Sequence, residues 1–354
     1  MSRVAVLTSG GVDSSVALGR LAEEGAHHLE AYYLKIWLED EMAFLGSCPW
    51  EEDLTFVREI CRGFDIPLTV VSLQAEYFSS VVGYAIDELK AGRTPSPDLL
   101  CNRTIKFGAF FERVRDQVDL VASGHYARVI RRQNLVHLLR GIDPVKDQTY
   151  FLSQLEQHQV SRCLFPVGGL TKREVREEAR RYRLPNRDRP DSQGICFLGR
   201  IPYDDFIAFH LGEEKGEIRE LASDRLLGHH RGYWFHTIGQ RRGLGLSGGP
   251  WYVTGKDPDR NVVIVVHANR LAENCRKAFT VGRPNWIAGP PVSGACEVRI
   301  RHGERLMACS VESVDTGALV VELEEGDPGI APGQFAVLYR GEECLGGGAI
   351  SGRV

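Results

Sequence analysis

Residues 4–26 read VAVLTSGGVDSSVALGRLAEEGA. An apolar run breaks into Ser9-Gly10-Gly11-Val12-Asp13-Ser14-Ser15 and resumes as an amphipathic pattern. Residues 4–7 suit a strand buried on both faces. Val16, Ala17, Leu21 and Ala22 interleave with Arg20, Glu23 and Glu24 at helical spacing, and Gly25 can end the helix. A loop that runs from a buried strand into a helix leaves the first N–H groups of that helix free. Together with the positive end of the helix dipole they make an anion site. Gly10 and Gly11 let a ligand approach the backbone closely, and Ser9, Ser14 and Ser15 add hydroxyl donors. The plainer alternative is a tight turn capped by Asp13 or Ser14. A Walker loop is excluded, because no Gly-Lys-Ser/Thr follows. The loop has no lysine, so a nucleotide bound here needs Mg²⁺ or cations brought from elsewhere in the chain.

A chain of 354 residues is too long for one ordinary core and predicts two or three domains. Hydrophobic content of 43% with 25% charged residues is that of a globular protein. No apolar run reaches the length of a bilayer span, so no membrane contact is expected. A strand begins almost at residue 1, which leaves no room for a targeting segment. The nine cysteines are odd in number, scattered, and never spaced Cys-x-x-Cys. That excludes a disulfide framework and a zinc ribbon and points to the reducing cytoplasm.

The first part of the chain alternates strand-like and helix-like segments. LEAYYLKIW, PLTVVSL and the start of DLVASGHYARV read as strands; WEEDLTFVREICRGF and EYFSSVVGYAIDELKAG read as helices. This pattern predicts an α/β domain with a parallel sheet covered on both faces, whose ligands sit at the carboxyl ends of the strands. TKREVREEARRYRL opens with a capping box, Thr171 to Glu174, and reads as a helix. The character shifts near residue 200. IPYDDFIAFHLG is a short helix followed by glycine-rich segments, and from about Phe279 CEVRIRH, ALVVELEEG and QFAVLYRG read as strands of a small closed β domain. The division expected is 1–200 for a nucleotide-binding catalytic domain, 201–274 for a small central domain and 275–354 for a C-terminal β-barrel.

Two cysteines have suggestive surroundings. Pro95 and Pro97 place Cys101 in an extended, exposed loop just before a helix at Asn102 or Thr104, where a thiol is activated. Arg187 and Arg189 precede Cys196 and could stabilise its thiolate. For Cys48, Cys61, Cys163, Cys275, Cys296, Cys309 and Cys344 the expectation is an inert small hydrophobe. His125 follows Gly124 at a strand end and points toward the site; His27-His28 and His229-His230 read as surface pairs. The net charge of −4 argues against indiscriminate nucleic-acid binding. Locally, residues 172–189 carry eight basic residues against four acidic ones. They form either a solvated face laced with ion pairs or a phosphate-backbone contact.

SGGVDSS after a strand resembles the PP-loop of ATP pyrophosphatases, which include ammonia-using synthetases and tRNA thiolases. TPSPDLLCN, GHYAR, KDQTYFLSQL, FPVGGLTKREVR, DSQGICF, HTIGQRRGLG and APGQFAVLY follow in order. Together they resemble the tRNA-specific 2-thiouridylase family over nearly the whole chain. The resemblance implies ATP binding by Leu7, Thr8, Ser9, Gly10, Gly11, Val12, Asp13 and Ser14, with Leu34 and Gly124 bordering the nucleotide and Mg²⁺ accompanying it. It implies Cys101 as nucleophile, Cys196 as persulfide carrier and Asp98 as proton shuttle. It implies that Ser96, Pro97 and Asp98 meet the target base, and that His125, Lys146, Asp147, Gln148, Arg301, His302 and Gln334 contact tRNA. A persulfide sulfur-donor protein, a cysteine desulfurase or relay protein, is the implied partner. Leu7-Thr8 stands where Gly-Met is usual, Ser96 where Asn is usual, and Ile36 where Asn is common. Three alternatives remain at this stage. One is an ammonia-using PP-loop ligase, which needs neither cysteine. Another is an RNA-binding module whose loop only senses nucleotide. The third is an iron–sulfur cluster on Cys101, Cys196 and one further ligand such as Asp98.

Overall fold

The computed structural model describes residues 1–36, 50–191, 202–290, 295–314 and 317–352. Strands β1 (Arg3–Leu7), β2 (His28–Lys35), β3 (Leu68–Ser72), β4 (Leu120–Ala122) and β7 (Cys163–Leu164) form a parallel sheet in the order β3-β2-β1-β4-β7. Residues 4–7 of β1 are all buried. Val4 and Val6 enter one core, with Val16, Leu18 and Leu21 of helix α1 (Val12–Glu24) and Leu54, Val57 and Ile60 of α2 (Trp50–Gly63). Ala5 and Leu7 enter another, with Val81, Val82, Ile105 and Phe110. The period-2 alternation therefore feeds two cores, one on each face, as the unbroken apolar run requires.

The second core is built on two long helical stretches, α3 (residues 74–90) and α4 (residues 97–114). Each passes through wide turns: the N–H of Gly83 donates to the carbonyl of Phe78 and that of Phe110 to Ile105, five residues back. α4 corrects the expectation of an exposed loop before Asn102. Pro97 is tolerated at the first helical position, where a missing N–H costs nothing, and the helix starts there with Ser96 as its N-cap. Cys101 thus lies a full turn inside α4, with 1% of its surface exposed, in the core rather than on a loop.

The capping box at Thr171 and Glu174 opens α5 (Lys172–Arg181) as expected, with Glu174 accepting from the Thr171 backbone at 2.7 Å. α6 (Tyr203–Leu211) leads into a four-stranded sheet ordered β10-β11-β8-β9, built from β8 (Gly216–Glu220), β9 (Leu226–His230), β10 (Trp251–Asp257) and β11 (Val262–His267). His230, expected on the surface, is buried here and accepts from the Gly232 backbone at 2.9 Å.

The C-terminal strands β12 (Arg276–Val281), β14 (Ala295–Arg299), β15 (Met307–Ser313), β16 (Leu319–Asp327), β17 (Phe335–Arg340) and β18 (Glu343–Gly352) run in the order β12-β16-β15-β14-β17-β18. Pairing of β12 with β18 closes them into a six-stranded antiparallel barrel. Short β13 (Asn285–Trp286) also joins β18. The barrel core holds Phe279, Val298, Leu319, Val321 and Leu338. One connection had no sequence signal: hairpin β5 (Ala127–Arg132) and β6 (Leu135–Arg140) of the first domain pairs with β18, Glu343 opposite Leu139 and Cys344 opposite Leu138. The barrel sheet therefore continues into the α/β domain. Among the described residues no helix is long and apolar enough to cross a membrane.

Candidate functional site

β2 and β3 lie on one side of β1, while β4 lies on the other. The crevice at such a switch point opens at the carboxyl ends of β1 and β4. Residues 8–11 follow β1 directly into it. The loop is self-braced. The Ser9 N–H donates to Ser14 Oγ at 3.2 Å, and the hydroxyls of Ser14 and Ser15 donate to the Gly11 carbonyl at 3.0 and 2.8 Å. Gly11 is the N-cap of α1 and no side chain caps the helix. No side-chain cap from Asp13 or Ser14, the plain alternative, is formed, which leaves the first turn of α1 with the uncapped amides that suit an anion.

The neighbours hold the loop tightly. Gly10 has φ +76°, and a Cβ there would meet the Asp53 carbonyl oxygen at 2.9 Å. Gly124, after β4, packs on the loop itself; a Cβ there would lie 2.6 Å from the Ser14 nitrogen. Asn186 donates to the Gly10 carbonyl at 2.8 Å and to Ser15 Oγ at 2.9 Å, and Arg189 donates to Gly10 at 3.1 Å. Leu34 lies near the carboxyl end of β2 and packs on the core at that edge. Gly124→Ala displaces Ser14 or Asp13, both backbone contacts that cannot yield cheaply. We expect roughly tenfold or greater loss of ATP-dependent pyrophosphate release, with tRNA affinity unchanged. Wild-type release from that variant would show that the loop tolerates the shift.

Asp13 carries the only charge of the loop. Its Oδ1 accepts from Tyr126 Oη at 2.8 Å and from Lys172 Nζ at 2.7 Å. Burial, then the Asp13 charge, push the Tyr126 phenol far up. Lys172, Lys146 and Arg176 all converge on Asp191, each at 2.7 Å. Burial alone would raise the Asp191 carboxyl, but the hydrogen bonds from Lys146 and Lys172 outweigh it and hold the group at about 2. Sequence reasoning missed Tyr126, Lys172, Asn186 and Asp191. Their signal was a position inside GHYAR, GLTKREVR and PNRDRPDS, which no periodicity could tie to a loop more than a hundred residues away.

Several expectations change. Arg189 pairs with Asp53 at 2.5 Å, and Arg187 contacts Asp188 at 3.5 Å. Cys196 itself, like Cys48, lies outside the described residues. The basic run is partly structural. Arg176 also donates to the Arg187 and Arg189 carbonyls, and Arg181 pairs with Glu23 at 2.6 Å. Arg173, Arg180 and Arg183 stay exposed.

A second cluster gathers at the start of α4. Ser96 N–H donates to Tyr84 Oη at 3.4 Å. Thr94 N–H donates to Pro332 of the barrel at 2.8 Å, which brings this strand of chain beside Gln334. His302 stacks on Phe151 with ring centroids 4.5 Å apart. Burial, then the Arg299 charge, lower its pKa, while Asp147 and Asp98 act in the opposite sense. Arg301 is held by Asp327 through two bonds of 3.2 and 3.1 Å and stays half exposed. Ser96, Asp98, His302 and Arg301 thus meet where the α/β domain touches the barrel.

Other expected tRNA contacts are engaged by the protein itself. His125 packs between Phe107 and Phe165, each 6.1 Å away, with Ser123 Oγ at 2.7 Å; burial, then Lys106, hold its pKa far down. Gln148 Oε1 accepts from the Tyr126 N–H at 3.0 Å. Asp147 turns inward and is fully buried against Arg299, so its carboxylate is committed to the protein interior. Arg299, its partner, is 1% exposed and equally committed. Cys61, Cys163, Cys296, Cys309 and Cys344 are buried as expected, whereas Cys275 is exposed.

A braced loop at the switch point of a parallel sheet, followed by a small β domain and a closed barrel, defines a PP-loop α/β protein with two appended β domains. Family profiles match along the chain. They are a tRNA methyl transferase HUP domain at residues 2–200, a tRNA methyl transferase PRC-barrel domain at 204–267 and an aminomethyltransferase β-barrel domain at 276–350. The chain is 44% identical over 355 residues to the tRNA-specific 2-thiouridylase MnmA 1 of Bacteroides thetaiotaomicron, covering 98% of this chain and 99% of that protein. It is 42% identical over 363 residues to the MnmA 2-thiouridylase of Porphyromonas gingivalis, covering 98% and 99%. The chain belongs to the tRNA-specific 2-thiouridylase family. Among solved structures it is similar at 17% identity and a TM-score of 0.35 to the U34-tRNA thiolase NcsA of Methanococcus maripaludis, over 60% of this chain and 67% of that one.

Proposed function

We propose that the protein 2-thiolates the wobble uridine of tRNAs with Lys, Glu and Gln type anticodons, at the expense of ATP, through a two-cysteine persulfide relay. The observation that carries this reading is the uncapped loop of residues 8–15 pressed against Gly124, in a chain of this family. The family profiles speak of methyl transfer and the curated relatives of thiolation. Cys101 and Cys196 in their motifs favour sulfur.

The C2 oxygen of uridine leaves poorly. Its attack on the α-phosphate of ATP expels pyrophosphate and makes an adenylated base, from which AMP leaves readily. The free amides of α1 hold the departing pyrophosphate as its charge grows. The donor set suits magnesium carried in by the phosphates, since that ion needs only one or two carboxylates and Asp13 borders the loop. When bound, it supplies further neutralisation of the leaving group. Sulfur arrives as a persulfide on Cys196, given by a donor protein. The terminal sulfur attacks C2, and the Cys101 thiolate attacks Cys196 Sγ; the electron pair of the broken S–S bond goes to the transferred sulfur. The alternative order has Cys101 free sulfide first. Either leaves a Cys101–Cys196 disulfide that a reductant reopens. Asp98, in the first turn of α4 and close enough to act on His302, is placed to move the proton. The base must leave its stack to reach the loop, at a cost of a few kcal/mol that is smallest in a single-stranded anticodon. The cytoplasmic compartment and the division at residues 200 and 274 are part of this proposal.

Mass spectrometry of tRNA incubated with protein, ATP and a sulfide or persulfide source tests the reading. 2-Thiouridine should appear only with ATP, and its absence overturns the proposal. Iron content of anaerobically purified protein separates the relay from a cluster on the same cysteines.

With a net charge of −4, tRNA must be held by local patches. Each neutralised phosphate adds about 0.7–0.9 to the slope of log affinity against log salt. We expect a steep loss of affinity with salt. Arg180→Glu should weaken all tRNAs alike, since phosphates carry no sequence. Arg176→Glu should instead lower stability, because that side chain straps Asp191 to α5. A flat salt titration would remove α5 from the interface.

A further inference from the structure

We propose that Lys172 is the phosphate-binding cation that the glycine loop lacks, contacting the β- or γ-phosphate of ATP and then the departing pyrophosphate. This rests on the ATP-using reading above and assigns a further residue to that site. The loop of residues 8–15 contains one carboxylate and no cation. Lys172 Nζ reaches it from the start of α5, 2.7 Å from Asp13 Oδ1, and Asp13 is in the first turn of α1 beside its free amides. The ammonium therefore already stands at the rim of the anion site.

Its bonding leaves it available. An ammonium has three N–H donors, and the two carboxylates Asp13 and Asp191 account for two. Neither carboxylate depends on it. Asp191 keeps Lys146 and Arg176, each at 2.7 Å, and Asp13 keeps the Tyr126 hydroxyl at 2.8 Å. Asp191 alone receives three cations, Lys146, Lys172 and Arg176, so it stays paired when Lys172 turns to a phosphate. Lys172 remains 17% exposed, enough to meet a ligand but dry enough for the charge to count. The neighbouring cations are less suited. Arg189 is spent on Asp53 and Gly10, and Lys146 and Arg176 reach only Asp191 in this cluster. A lysine point charge on a flexible stem suits a phosphate that moves as its bond breaks.

The test is calorimetric titration of ATP, AMP and pyrophosphate into the full-length wild type, Lys172→Met and Lys172→Arg, with thermal melts of each. Loss of a charge-assisted bond predicts a roughly 10–100-fold weaker ATP and pyrophosphate affinity for Lys172→Met. AMP affinity should stay within threefold and Lys172→Arg should recover most of the loss. ATP affinity within threefold of wild type in Lys172→Met overturns the assignment. So does an equal fall for ATP and AMP with a lowered melt, which would make Lys172 a strap. A wild type that binds no ATP overturns the ATP-using reading as well, which a failure confined to the variant does not.

Discussion

Cys101→Ser yields no 2-thiouridine, at least roughly a thousandfold below wild type as expected when a covalent participant is removed, yet still releases up to one equivalent of pyrophosphate when tRNA is present. Adenylation needs the loop and the base, not the thiol, so the two readouts separate. Serine is close in size, and inside α4 its hydroxyl can donate back to the Pro97 carbonyl one turn earlier. The fold is therefore retained even though Cys101 is buried. Cys196→Ser behaves alike if the persulfide sits there. The exposed Cys275, changed to serine, stays active and reports on non-specific thiol effects. Measurable thiouridine from either of the first two variants rules out the relay. Loss of pyrophosphate release together with thiolation in Cys101→Ser would mean that the cysteine supports the site's shape instead of its chemistry.

The parallel sheet and the loop after β1 were legible because both are local. An apolar run, two glycines and an amphipathic pattern occupy 23 consecutive residues. The capping box of α5 was legible for the same reason. What was not legible depends on distant partners. Pro95 and Pro97 looked like loop formers, but Pro97 at the first helical position starts α4 early, because buried Leu99 and Ile105, with partly buried Leu100, draw that turn against the core. Arg189 bonds Asp53 and the Gly10 carbonyl, both far away in sequence. Nothing local showed what β5 and β6 pair with, and only the edge of β18, some two hundred residues later, gives them a sheet to join. Charge counting along residues 172–189 could not tell Arg176, bonded to Asp191, from Arg180, left in solvent, since both lie on the same side of one helix a turn apart and only the first has Asp191 beside it.

The same inward turn governs the joint between the catalytic domain and the barrel, where Asp147→Ala should cost more stability than any other single change named here. Asp147 Oδ2 accepts from Arg299 Nη1 at 2.6 Å and from Arg140 Nε at 3.3 Å. Its Oδ1 accepts from the Gly141 and Thr149 N–H groups at 3.2 Å each and from Thr149 Oγ1 at 2.8 Å. Arg299, on β14, also lies over the Tyr339 ring at 4.9 Å. Both partners of the pair are out of water, so removing one leaves the other charged and desolvated, a loss of about 3–5 kcal/mol. A buried pair is weaker evidence of net stability than of commitment. The double variant Asp147→Ala/Arg299→Met should recover much of the loss, because methionine refills the volume without a charge. Urea unfolding followed by tryptophan fluorescence checks both, with Trp286 of β13 reporting on the barrel. An Asp147→Ala midpoint equal to wild type would mean that water reaches Arg299 and that the residue is open to tRNA after all. If the midpoint falls and the double variant restores it, tRNA affinity in that double variant then decides the matter. Retained affinity places the RNA on the exposed Arg301 and His302 beside the joint, and lost affinity places it on the pair itself.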